Sequence, residues 1–250
     1  MVSRRKRLIA LLLGLSLLAL LTGCGQSQPG KGESSQKSDA VSLTYLEGQI
    51  ITTADPAQHT DESSMIAVVN LYDPLLYPKD QEGSMAPGPS VADSWTPSPD
   101  GKTYTFQLHQ GIKFHDGTEL TADDVVFSMQ RMLALKKGFS WLWSGVLKPE
   151  NVQAKDKYTV VFQLDKPYAP FLSTLEQLFV VNKKLVTANK QAGNFGDNGD
   201  YGVAYLERHD AGSGPYTMGS FSKDSELVLN KFKDYWRGWK PGQVDVVHYK

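Results

Sequence analysis

Cysteine occurs once, at Cys24, so the chain can close no internal disulfide and cannot assemble a cysteine-based zinc set. Histidine is also sparse. The five histidines stand at 59, 109, 115, 209 and 248, with no His-x3-His pair and no helix that would show two imidazoles on one face, which removes the common metal-ligand spacings. There is no Gly-x-Ser-x-Gly, no Walker loop and no Gly-x-Gly-x-x-Gly; "GSGPY" at Gly212–Tyr216 lacks the nucleophile pattern, and Ser213 has no partner identifiable in sequence. An excess of positive charge is missing too, the net charge being −1, which argues against nucleic acid as a partner. No fixed-period repeat of the solenoid kind occurs. Carboxylates are scattered throughout, so a secreted hydrolase stays open as an alternative, because carboxylate separation is not readable without a fold.

What is present begins at the N-terminus. Arg4, Arg5, Lys6 and Arg7 precede an uncharged leucine-rich run from Leu8 to Leu21, the order of a secretory signal peptide. The run is fourteen residues, short of the roughly 20 apolar residues a helix needs to span a bilayer. Leu21-Thr22-Gly23-Cys24 resembles the lipobox of bacterial lipoproteins, which implies lipidation of Cys24 and removal of residues 1–23. That cleavage takes away four positive charges and no negative one, leaving a net charge of −5. Residues 24–40, with no aromatic or branched aliphatic side chain after Cys24, read as a flexible tether. From Val41 onward enough chain remains for one large or two small domains.

Several stretches carry a clear period. Leu43 and Tyr45 alternate with Thr44 and Leu46 as in a strand, and Asp55-Pro56 ends that region in a turn. Met65, Ile66, Val69 and Tyr72 recur at helical spacing behind Asp61 and Glu62, and residues 80–93 read as a polar loop. Tyr104, Phe106 and Leu108 alternate after the Pro99-Asp100-Gly101 turn, and Ile112 and Phe114 share a face beyond Gly111. His115 and the Asp116-Gly117 turn then lead to Thr121, an N-cap with Asp124 as its capping-box partner, and Val125, Val126, Met129, Met132 and Leu133 form one apolar helix face. The acids Asp123 and Asp124 sit at the positive end of that helix. The alternation returns in Tyr158, Val160, Phe162 and Leu164, with a helix start near Pro170. Residues 188–212 are weakly patterned. The remainder predicts strands over Tyr216–Phe221 and Glu226–Asn230, an aromatic loop, and a last strand around Val244–Tyr249.

Four blocks in order carry a resemblance: "ADPAQHTDESSMIAVVNLYDPLL", "VADSWTPSPDGKTYTFQLHQGIKFHDGTELTADDVVFSMQRM", "PYAPFLSTL" and "GSGPYTMGSF…LVLNKFKDYWRG". They resemble the family 5 extracellular solute-binding proteins, the oligopeptide-, dipeptide- and nickel-binding components of ABC importers. The resemblance implies an α/β, periplasmic-binding-protein-like (type II, cluster C) first lobe with an inserted α+β subdomain. By similarity, residues 41–76 plus 211–250 form the core of that lobe and 77–210 the insertion. Family members run to roughly twice this length, so the second lobe, absent from this chain, is expected to follow Lys250.

The function implied is capture of a peptide or similar solute outside the membrane, on the exported face of the cell membrane, by a monomer that hands it to an ABC permease with its ATPase. The resemblance implies neither catalysis nor a cofactor or metal. Thr60, Asp61 and Glu62 match positions that line the cleft; the other reading is an acid-decorated helix start. Trp141 and Trp143 in "FSWLWSG" fall where the insertion approaches ligand, and two exposed indoles would suit loose peptide binding; the other reading is core packing. Gly214 and Tyr216 belong to the crossing back into the core lobe. A lipoprotein remnant that binds no solute is the rival from a different class. Peptides, nickel complexes, glutathione and oligosaccharides all remain open as ligands.

Overall fold

The alternation of Tyr104, Phe106 and Leu108 and that of Val160 and Phe162 bury large side chains on one side of one four-stranded sheet, and Leu227 and Leu229 do the same in a second. The structure, a computed structural model, describes residues 40–79, 86–223 and 225–250. The signal peptide, Cys24 and the tether up to residue 39 lie outside the described residues. The elements are β1 (Ser42–Tyr45), α1 (Glu62–Leu71), β2 (Leu76–Pro78), β3 (Pro87–Pro89), β4 (Ala92–Pro97), β5 (Thr103–Leu108), α2 (Ala122–Leu135), β6 (Val152–Asp156), β7 (Thr159–Gln163), α3 (Phe171–Thr174), α4 (Lys183–Ala188), α5 (Val203–Leu206), β8 (Tyr216–Ser222), β9 (Glu226–Lys231) and β10 (Val246–Tyr249).

One sheet runs β4-β5-β7-β6, all antiparallel. Tyr104 and Phe106 stand opposite Phe162 and Val160, and all four are buried; cross-strand pairs of this kind are the unit of sheet stability. The other sheet runs β1-β10-β9-β8, with β1 parallel to β10 and the remaining pairs antiparallel. It joins chain from both ends of the sequence.

The apolar interior falls into two clusters. The larger gathers Phe106, Phe114, Trp143, Phe162 and Phe171 under the first sheet. The second gathers Val68, Leu71, Leu227, Leu229 and Val247 around the second sheet and also takes in Phe179, Val181, Val186 and Leu206, from the stretch expected in sequence to form the insertion.

Helix α2 serves both clusters. Val125, Met129 and Met132, the apolar face expected from sequence, enter the larger one. A second stripe, Asp124, Phe127, Ser128 and Arg131, is also buried, and its spacing of three, one and three residues is again helical. Its polar members are bonded: Ser128 Oγ donates to the Asp124 carbonyl at 2.7 Å and accepts from Val181 N at 2.9 Å. At the start of the helix, Asp124 Oδ2 accepts from Thr121 N and Oγ1, both at 2.9 Å, while Oδ1 accepts from Lys183 N at 2.9 Å. Asp124 is therefore a buried junction between α2 and α4. Burial raises its pKa above the ordinary carboxylate value despite those donors.

Three sequence expectations are corrected. In α1 the buried face is Ser63, Ser64, Ala67, Val68 and Leu71, whereas Val69 is exposed; Ser64 is tolerated inside because its Oγ accepts from Thr52 N at 3.1 Å and Thr53 N at 3.3 Å. Within residues 80–93, Pro87 and Pro89 lie in β3, one strand of a two-stranded ribbon with β2, where a missing N–H is tolerated at an edge. Ile112 and Phe114 are both buried, but they flank an isolated Lys113–Glu119 bridge, outside any strand, with Leu120 N donating to the Ile112 carbonyl at 2.9 Å and Phe114 N to the Thr118 carbonyl at 2.8 Å.

Candidate functional site

The loop entering α1 is held from below by a buried ion pair. Arg131 Nη1 and Nη2 each donate to one oxygen of Asp55 at 2.6 Å, and Arg131 Nε donates to the Tyr201 carbonyl at 2.8 Å. The side chains are 1% and 0% exposed. Asp55 also accepts from Ala57 N at 2.9 Å and Gln58 Nε2 at 2.8 Å. Burial raises the Asp55 pKa, but the Arg131 charge and these bonds outweigh it and hold the carboxyl below its ordinary value. The bidentate geometry fixes the direction of the loop as well as its position.

A second segment lies against that loop. Lys137 Nζ donates to Gln58 Oε1 at 3.1 Å, and the Phe139 ring meets the His59 ring edge-on at 5.2 Å. Between them Gly138 has φ of +55°, and a Cβ there would come within 2.9 Å of the Ala57 carbonyl oxygen. Only glycine satisfies both conditions. His59 is fully buried, its Nδ1 donating to the Pro56 carbonyl at 3.0 Å, while Nε2 has no partner. Burial lowers its pKa, and a neutral ring suits this setting.

These contacts tie residues 57–59, directly before Thr60, to residues 137–139, directly before the turn that carries Trp141. Thr60 and Glu62 are exposed at the entrance to α1. Asp61 is the N-cap: Oδ1 accepts from Ser64 N at 2.7 Å and Oδ2 from Thr52 Oγ1 at 3.1 Å. Partial burial raises the Asp61 pKa, and the bonds from Ser64 and Thr52 more than reverse it, leaving it lowered. Trp141 lies in the short helical turn Gly138–Trp143 and is 66% exposed. Trp143 does not match the expectation of two exposed indoles. It is fully buried, its Nε1 donating to Thr174 Oγ1 at 3.0 Å in the larger apolar cluster, because the tight turn directs positions 141 and 143 to opposite sides.

Two further polar nodes carry no local sequence signal. Asp73, 2% exposed, accepts from Ser213 Oγ at 2.9 Å, Tyr235 Oη at 3.0 Å and Trp236 Nε1 at 3.0 Å; burial raises its pKa despite those donors. The hydroxyl of Ser213 is thus committed to a carboxylate that also ties down the aromatic loop. His115 pairs through Nδ1 with Asp210 at 2.5 Å and through Nε2 with the Gly214 carbonyl at 3.0 Å. Asp210 in turn accepts from Met218 N at 2.7 Å, so His115 fastens the Gly212–Tyr216 crossing to the rest of the chain. Among the described residues, no group of three or more His, Cys, Asp or Glu gathers as metal ligands.

The exposed positions 60, 62 and 141 thus stand beside two loops tied to each other in a mixed α/β body, and that body has known relatives. The model of the bacterial extracellular solute-binding proteins, family 5 Middle, matches residues 86–250. The chain belongs to that family. The dipeptide-binding protein of Escherichia coli K12 is 34% identical over an aligned length of 177 residues that covers 64% of this chain and 31% of that protein. The dipeptide-binding protein DppE of Bacillus subtilis 168 is 28% identical over 254 residues, covering 93% of this chain and 44% of DppE. The solved structure of the periplasmic binding protein DppA from Helicobacter pylori, in complex with peptide STSA, superposes with a TM-score of 0.68 at 29% identity over 84% of this chain and 43% of that one. The substrate binding protein CtaP of Listeria monocytogenes gives a TM-score of 0.69 at 27% identity, over 85% of this chain and 40% of CtaP. The chain therefore has a family 5 periplasmic-binding-protein fold and spans between about a third and under half of these relatives' length.

Proposed function

We propose that this chain is a peptide-capturing, solute-binding component of an ABC importer, with Thr60, Asp61, Glu62 and Trp141 on one wall of its cleft. What supports the reading is that the exposed positions 60–62 and 141 lie just beyond two loops tied to each other through Gln58–Lys137 and His59–Phe139, which we read as one ridge, in a member of a solute-binding family whose relatives bear dipeptide-binding names. The ridge offers a carboxylate, a hydroxyl and a flat apolar ring, which suit the charged end, backbone and side chains of a short peptide. Nothing in it resembles an assembled nucleophile and base. The protein binds and releases without catalysis, as a monomer. Lipidation at Cys24 holds it at the exported face of the membrane, the tether sets its distance, and a permease with its ATPase receives the solute.

Trp143, enclosed in the core, is outside this wall in our assignment. The test is calorimetric titration with di- to pentapeptides, alongside Trp141→Ala. Micromolar heats that weaken at least tenfold in the variant support the wall; heats equal in both proteins remove Trp141 from it, and silence across all peptides refutes peptide capture by these residues.

A further inference from the structure

Charge is unevenly spread along this chain. The whole sequence carries a net charge of −1, yet residues 231–240, "KFKDYWRGWK", hold four cations against one acid. Phe232, Tyr235, Trp236 and Trp239 are half-buried there, with Lys233, Arg237 and Lys240 exposed between them. The rings are fixed from within. Tyr235 and Trp236 both donate to the buried Asp73, and Trp239 Nε1 donates to the Phe232 carbonyl at 2.8 Å.

Arg237 is held by three contacts. Its Cζ lies 4.4 Å from the centre of the Trp236 ring and 5.4 Å from that of Tyr77, an exposed ring on β2, and its Nη2 donates to Ser90 Oγ at 2.9 Å. A guanidinium stacked and bonded in this way is already oriented, and its remaining N–H groups match the geometry of a phosphate. Among the described residues Lys233, Arg237 and Lys240 enter no ion pair, whereas Asp93 and Asp245 at the margins are engaged by His109 and Lys231.

The same loop adjoins the point where the N-terminal segment enters the fold. Val41 N donates to Asp245 Oδ2 at 2.9 Å and Asp245 N to the Val41 carbonyl at 2.7 Å. Asp245 in turn holds Lys231, whose Nζ sits 4.6 Å over the Trp239 ring. From Cys24 to Val41 the chain reaches at most about 60 Å. Lipidation at Cys24, on which this inference rests, would therefore keep the loop within that distance of a bilayer.

We propose that Tyr77 and the 231–240 loop form a docking surface for the anionic phospholipid headgroups of that bilayer, with Arg237 as the phosphate contact. Tyr and Trp rings interleaved with Lys and Arg are the composition of an interfacial contact, and each cation beside an anionic surface strengthens binding about fivefold. The surface shares no residue with the ridge at 60–62 and 141, so it orients the folded part on the membrane whichever solute is bound.

The protein purified from membranes would be reconstituted on vesicles of phosphatidylglycerol or of phosphatidylcholine. Amide exchange across 233–240 should be at least fivefold slower on phosphatidylglycerol, and about 1 M NaCl, where the Debye length is about 3 Å, should remove the difference. Arg237→Gln should at least halve the slowing. Lys233→Gln with Lys240→Gln should do the same, and these two change only exposed side chains, so the fold is preserved. Mass spectrometry of the peptide bearing Cys24 tests lipidation separately; an unmodified protein is mixed with the same vesicles, and the comparison still decides the loop. Equal exchange on both vesicles overturns the proposal. So does slowing by soluble polyglutamate or glycerol phosphate with none by the vesicles, which would assign the loop to an acidic protein or a free phosphate compound.

Discussion

The Asp55–Arg131 pair makes the most exposing test of how the loop entering α1 is held. Asp55→Ala would remove both 2.6 Å charge-assisted bonds and leave the guanidinium of Arg131, 1% exposed, with only the Tyr201 carbonyl as acceptor among the bonds described. A buried charge stripped of its partner costs roughly 3–5 kcal/mol, and for a domain of this size each kcal/mol moves Tm by about 2–4 °C. The expected fall in Tm is therefore roughly 6–20 °C. Arg131→Met should cost a comparable amount by orphaning the carboxylate, whereas the double variant Asp55→Ala with Arg131→Met should recover at least about 1 kcal/mol relative to the sum, because no charge then remains buried. Urea denaturation of the four proteins with a common slope gives these numbers directly. An Asp55→Ala cost below about 1 kcal/mol, the level of an exposed ion pair, or strictly additive single variants, would refute the claim that this pair supports the loop.

Other consequences can be checked separately. The folded Asp55 carboxyl lies below its unfolded value, so its contribution is complete above a pH of about 4, near the unfolded pKa, and is lost as pH falls through the folded value; Asp55→Asn should flatten the acid limb of the stability profile. For His59 the folded pKa is also lowered, so stability should decline as pH falls below about 6.5, where the unfolded ring gains a proton, and His59→Phe should remove that slope. Trp143→Phe leaves the Thr174 hydroxyl without its indole donor and should cost about 1–3 kcal/mol with no change in peptide affinity; an altered affinity would return Trp143 to the wall. Gly212→Ala would set a Cβ 1.8 Å from the Leu71 carbonyl oxygen and should abolish soluble expression, and a folded variant would show that the crossing is looser than described.

How much of this was readable in advance depends on whether a residue's role is local. The capping of α2 by Thr121 and Asp124, the alternation in β5 and β7, and the β8–β9 hairpin depend on neighbours within a few positions, so periodicity and turn chemistry located them. The charge partner of Asp55 lies 76 residues away and the side-chain partners of Asp73 up to 163, and nothing near either acid distinguishes it from a surface carboxylate. In α1 the apolar pattern pointed to the wrong face because two serines occupy the buried one. The ridge itself was placed by resemblance. Its residues carry no chemistry of their own in sequence, and only the fold decides that position 141 faces outward and position 143 inward.

Helix α2 has two buried stripes, and one of them is held by direction more than by bulk. An apolar stripe tolerates small rotations, since packing is forgiving of volume-conserving exchange. A stripe of bonds to fixed points, Lys183 N, Val181 N and Asp55, tolerates none. Each added residue turns a helix by about 100°, so a one-residue insertion between Asp124 and Arg131 would aim Arg131 away from Asp55 while the composition barely changed. For this helix, length is the stricter constraint: the apolar stripe of Val125, Met129 and Met132 admits exchanges that conserve volume, whereas the segment from 124 to 131 admits no insertion or deletion.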